Sequence, residues 1–186
     1  MTASENRPHP ADIQDRLVAG VRDGDRRQRP ATGDEKALLS AFLDFQRATL
    51  LWKISGLTEE QLRKVWTPSG MSLLGIVKHL AYVERNWFQN RFLDRNLPVA
   101  WSDADPDGDF RIEPDETAES LVAFYRESVA ESRRIVDDAD SVETIALNPK
   151  RPHSLRRILV HMIEETARHV GHADLMREFT DGQTGE

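Results

Sequence analysis

The chain contains no cysteine. That excludes disulfide bonds, thiolate-held zinc and any protein thiol acting as nucleophile. Aromatic residues are scarce, at 7%, against 31% charged residues. The few glycines and prolines gather in a handful of breaks, a composition that favours a mostly helical soluble protein. No window approaches the roughly 18 consecutive apolar residues of a membrane span. The opening run Met-Thr-Ala-Ser-Glu-Asn-Arg-Pro has no apolar h-region, so no secretory signal is visible and a cytoplasmic location is expected. Positive charge is in deficit. The net charge of −7 argues against a nucleic-acid backbone as main partner. What remains is 186 residues, enough for one domain with a real hydrophobic core.

Residues 1–33 read differently from the rest. They hold Pro8, Pro10, Pro30, three glycines and a charged run from Arg22 to Arg29. This predicts an irregular arm, with one helical turn around Ile13 to Val18, draped over the core through Leu17, Val18 and Val21. Residues 34–186 predict an all-α domain, a four-helix bundle with two longer crossover loops. The first helix runs from about Asp34 to Ile54, with Leu38, Leu39, Phe42, Phe45, Thr49 and Trp52 at helical period and Gly56 stopping it. Thr58 to Gln61 is a capping-box pattern for a short helix reaching about Lys64. Ser72 can cap the second long helix, Leu73 to Leu93, which carries Leu73, Ile76, Leu80, Val83 and Trp87 on one face. The third spans about Thr117 to Val136, with Leu121, Phe124, Tyr125, Val129 and Ile135 inward. Ser154 caps the last, which reaches Phe179 and ends near Gly182. The only weak strand candidate is Ser141 to Ala146.

The last helix holds the most informative segment, His161 to His172. At about 100° per residue, Leu155, Met162, Thr166 and Ala173 mark the core direction. His169 points within roughly 30° of it and Glu165 within roughly 70°. These two lie four apart, so they project from one side of the helix. His161 and His172 fall on the flank, with Arg168 beyond. On the second helix, Ile76 and Val83 bracket His79 on the inward side. A carboxylate facing a bundle interior needs a cation, and three N/O ligands from two helices hold a divalent metal with an open position. A Glu–His pair at this spacing also occurs as a plain hydrogen-bonded core pair, and spacing alone does not separate the two.

Three blocks carry a family resemblance: Phe42 to Trp52 with Gly56-Leu57, Thr67 to Phe88, and Ser154 to Glu178 with Asp181-Gly182. Together they resemble the DinB/YfiT-like metalloenzyme superfamily, on the branch of the mini-circle protein, over roughly residues 34–186. Arg157 departs from that branch, which usually has an aromatic residue there. The resemblance implies a four-helix bundle, often a homodimer, binding a divalent ion such as zinc, nickel or iron. The matching ligand positions are His79, Glu165 and His169, a Glu-for-His pattern similar to the mycothiol-dependent maleylpyruvate isomerases. Related members are S-transferases that use mycothiol or bacillithiol.

A chain without cysteine must borrow its sulfur nucleophile, which agrees with a low-molecular-weight thiol and a small-molecule substrate. The expected activity is therefore a metal-dependent thiol transferase or isomerase. Groups expected around the metal are Tyr82, Glu164, Arg168 and His172, with Asn86, Trp87 and His161 against the substrate. Alternatives are a non-catalytic bundle braced by its metal and a resistance protein that sequesters a small molecule. A fourth protein ligand from His161 or His172 would favour the braced module. One further motif, Asp103-x-Asp105-x-Asp107-Gly108-x-Phe110, resembles half a calcium loop. Its twelfth position is Pro114 rather than Glu, so an acidic, solvated loop is expected.

Overall fold

The computed structural model describes residue 26 and residues 29–184. The expected helical turn at Ile13 to Val18, with Leu17, Val18 and Val21, lies outside the described residues. Five helices follow. Helix α1 is Glu35–Ile54, α2 Glu59–Arg63, α3 Leu73–Glu84, α4 Ala118–Asp138 and α5 Leu155–Asp181. A π-helical segment, π1, continues α3 over Arg85–Phe92.

Local chemistry sets most of these boundaries. Asp34, Thr58, Ser72, Thr117 and Ser154 each accept a backbone N–H of the first turn that they precede. Such caps satisfy donors that have no partner within the helix. Thr58 and Gln61 complete the expected capping box. Gly56 and Gly182 take positive φ just past the ends of α1 and α5, as a left-handed C-terminal residue requires.

Among the described residues there is no strand. Ser141 to Ala146 forms instead part of a tight loop, with an isolated bridge between Ile145 and Ser154. The Ala146 N–H donates to the His153 carbonyl at 2.9 Å and the Leu155 N–H to Thr144 at 2.9 Å. The Arg156 N–H adds a bond to Val142 at 2.8 Å, and the pairing stays an isolated bridge rather than a ladder.

Two apolar clusters fill the bundle. One gathers Leu50, Ile54, Leu73, Ile76, Leu121, Val129, Val170 and Met176. The other gathers Leu43, Val83, Phe88, Phe92, Ile135, Leu155 and Met162. Their order along each helix gives the topology. Helices α1 and α5 run from the second cluster to the first, and α3 and α4 run the other way. Of the two long connections, only residues 93–117 cross the length of the bundle. They return alongside α3. The loop at residues 139–154 stays at one end.

The buried face of α1 differs from the expected one. Leu43, Arg47, Leu50 and Ile54 are buried, whereas Phe42 is 38% exposed. Phe42, Phe45 and Trp52 lie beneath the guanidinium groups of Arg26 and Arg29. The rotation is set by Arg47. Its Nε and Nη2 donate to the two oxygens of Glu84, each at 2.7 Å, inside the core.

Candidate metal centre

Helices α3 and α5 bring His79, Glu165 and His169 together, with ligand atoms all within 4.8 Å of one another. The Nε2 atoms of His79 and His169 both lie 3.3 Å from the same oxygen, Glu165 Oε1. The two rings are 4.5 Å apart, and Phe110 stacks on His79 at 4.1 Å. His169 is buried, while His79 and Glu165 sit at the edge of the core, 13% and 16% exposed.

The crossover connection supplies a partner that sequence reasoning missed. Asp109, itself buried, places Oδ2 2.8 Å from His79 Nδ1. A carboxylate only accepts, so the Nδ1–H donates to Asp109 and the Nε2 edge of the ring is turned toward Glu165 and His169. This carboxylate–histidine arrangement fixes the tautomer and orientation of a metal-binding ring. The acidic loop expected to be merely solvated therefore reaches into the site. Asp105 and Arg111 pair at its surface.

Two glycines let the connection approach. A Cβ on Gly75 would lie 2.5 Å from the Phe110 carbonyl oxygen, and one on Gly108 would collide with the Ala100 carbonyl. Gly75 was the available signal. A glycine inside an otherwise apolar helical run points to another backbone passing close by.

The electrostatics follow from this crowding. Hydrogen bonds from His169 and then His79 hold the Glu165 carboxyl far below the usual carboxylate range, against the opposing effect of burial. Burial resists charge on His79, but its bonds to Asp109 and Glu165 override that and push the ring up. Burial wins at His169 and lowers it, despite Glu165. His169 Nδ1 is buried without a hydrogen-bond partner. Two ring nitrogens and a carboxylate oxygen therefore converge on one point, where a divalent ion would take the place of the protons that the rings share with Glu165. The donor set, N₂O from two facing helices, suits a divalent ion.

The other expected residues fall into two groups. Tyr82 is half-buried, edge-on to Phe124 at 4.9 Å and to Trp101 at 6.4 Å. His172 stands edge-on to His169 at 5.5 Å. Arg168 is exposed at the rim, 3.8 Å from Glu165 Oε2. Trp87 is buried, with His161 4.2 Å away, and Asn86 lines a neighbouring cavity. Glu164 is 64% exposed, paired with Arg168 at 3.3 Å on the solvent side. Neither His161 nor His172 joins the convergent group among the described residues.

A family model described as mycothiol-S-transferase matches residues 38–182. No curated protein matches the sequence. Among solved structures, the crystal structure of the conserved protein of locus from Enterococcus faecalis is similar. It is 17% identical, with a TM-score of 0.58, over 82% of this chain and 100% of that one. At that identity the likeness shows the fold alone. No helix among the described residues is long and apolar enough to cross a membrane.

Proposed function

The chain belongs to the mycothiol S-transferase family, and on that premise we propose that it is a metal-dependent thiol S-transferase. It joins a low-molecular-weight thiol of the mycothiol or bacillithiol type to a small electrophile. The observation that carries this reading is the convergence of His79, Glu165 and His169 with no fourth protein ligand among the described residues. An open coordination position is what separates a catalytic site from a brace.

A divalent zinc, nickel or iron ion held there supplies Lewis acidity, favouring the anionic form of a thiol near neutral pH. The protein's own groups do the rest. Asp109 keeps the His79 ring turned toward the centre. Phe110 covers the face of that ring and limits the approach of water. Arg168 and His172 stand at the mouth, where they can orient the incoming thiol or electrophile. In the transfer, a sulfur–carbon bond forms as the bond to the leaving group breaks. The leaving group takes that electron pair, and the thiol proton passes to water. With no cysteine in the chain, the sulfur comes from the cosubstrate.

The test is direct. Metal-loaded protein is incubated with mycothiol or bacillithiol and a halogenated aromatic electrophile, and the thioether is followed by mass spectrometry. Formation above the uncatalysed rate, lost in His169→Ala, supports the reading. Rates equal to the thiol alone with every metal contradict it.

A further inference from the structure

A cavity of about 400 Å³ lies beside the π-helical continuation of α3. Asn86, Arg91, Trp101, Asn148 and Arg151 are among its lining residues. Three elements build it. Segment π1 gives Asn86 and Arg91, five residues apart, the interval that a π-helical turn brings onto one face. The crossover connection gives Trp101. The loop before α5 gives Asn148 and Arg151, docked where the Leu147 N–H donates to the Phe92 carbonyl at 2.7 Å.

The charge gathered here is unusual for this molecule. The chain is acidic, and most arginines among the described residues are matched to carboxylates. Arg91, Arg151 and Arg157 have no carboxylate partner among the described residues. They repel one another instead. Burial lowers the pKa of Arg91, and Arg151 and Arg157 lower it further. His153, also lowered first by burial, is held down by the same three arginines. Arg91 Nε is buried without a hydrogen bond, its guanidinium lying 4.0 Å over the Trp87 ring. The Asn86 carboxamide has no partner among the described residues either. Like charges converging on a cavity with unused donors destabilise the empty site and favour an anion within it.

We propose that this cavity is an oxyanion subsite that receives the carboxylate or phosphate end of a small molecule. Arg91 and Arg151 supply the charge, and Asn86 supplies a neutral donor. Packed aromatic rings link the wall of the subsite to residues on the helices that carry the metal centre. Trp101, on its wall, meets Tyr82, and Trp87 separates Arg91 from His161, one helical turn from Glu165. Asn86 follows His79 by seven residues, about 10 Å along a helix axis. The molecule it selects is an anionic electrophile with its reactive carbon about that far from its charged end. The role as a substrate subsite rests on the transferase reading; the binding of the anion does not.

The experiment therefore measures binding without turnover. Succinate and glycerol 2-phosphate are titrated separately into the full chain at low ionic strength, with calorimetric detection. Saturable binding of at least one probe is expected. Success with succinate assigns a carboxylate, and success with the phosphate ester a phosphate. Arg151→Gln, an exposed substitution that leaves the fold intact, weakens binding by about ten-fold or more. Arg91→Gln does the same, with circular dichroism confirming its helix content. His169→Ala leaves anion affinity unchanged, because the anion is not on the metal. No saturable binding of either probe overturns the proposal. So does equal affinity in wild type and Arg151→Gln, or loss of binding in His169→Ala. Anion binding without thioether formation would retain the subsite and reject the transferase. Thioether formation without anion binding would do the reverse.

Discussion

Helix α3 places His79 and Glu84 at the core, five residues apart, and they are finished to different degrees. Glu84 is complete. Both of its oxygens accept from Arg47 at 2.7 Å, and burial, which opposes charge on Arg47, is overcome by Glu84 so that the guanidinium is held more firmly protonated than usual. His79 is complete on one side only. Its Nδ1 is bonded to Asp109, but its Nε2 shares one Glu165 oxygen with His169 at 3.3 Å, and His169 Nδ1 has no partner. The first arrangement neutralises itself. The second is geometrically ready and electrostatically short of a cation. A closed ion pair between helices holds the bundle in register; an open set of donors between helices is a place for a ligand.

Breaking the closed pair should do the most damage to the fold. Glu84→Ala leaves Arg47 charged and buried, and about 3–5 kcal/mol of stability should be lost in urea denaturation. Metal bound per folded chain should be unchanged. If Glu84→Ala unfolds no more easily than wild type, the pair is not what fixes α1 against α3.

Breaking the open set should do the opposite. His169→Ala should lose stoichiometric metal, with affinity falling beyond the about 100-fold that loss of an outer partner costs. Its metal-free stability should stay within about 1 kcal/mol of wild type. Equilibrium dialysis and denaturation of the same preparation measure both. Retention of metal by His169→Ala together with its loss in His161→Ala would show that the ligands are misassigned.

Smaller effects sharpen the account of His79. Asp109→Ala removes the group that orients the ring and should weaken metal binding by about 10–100-fold without abolishing it. Gly75→Ala forces the Phe110 backbone away from α3 and moves Asp109 with it. Its loss of affinity should share the direction of Asp109→Ala and be smaller, because the carboxylate is still present. If Gly75→Ala binds metal as wild type does, the close approach of the crossover connection does not position Asp109. The smallest effect is expected at Glu164, whose exposed side chain should be replaceable by alanine with no measurable change in metal affinity.

What could be read from the sequence was mainly local. Helix ends were legible because Asp34, Thr58, Ser72, Thr117 and Ser154 bond within three residues of themselves. The inward direction of Glu165 and His169 was legible because a regular helix fixes it from Met162 and Thr166. The orientation of α1 was not. Arg47 reads as a solvent residue until Glu84, 37 positions away, is known to meet it. Arg177 is another such case. Its guanidinium is buried while donating to the Lys53 and Ser55 carbonyls at the end of α1. Asp109 was hidden for the same reason. Nothing within its own loop distinguishes it from Asp103, Asp105 or Asp107, and only the path of the crossover connection brings it to His79. The π-helical turn at Arg85–Phe92 left no local mark either, yet it sets which side chains face the neighbouring cavity.

The central claim is that His79, Glu165 and His169 form an open site for one divalent ion. The most direct measurement is metal content and titration of wild-type protein prepared without chelator and offered zinc, nickel and iron(II) in turn. One ion per chain, displaced by chelator and absent from His169→Ala, is the expected result. Wild-type protein that binds none of the three would contradict the claim, and with it the proposed chemistry.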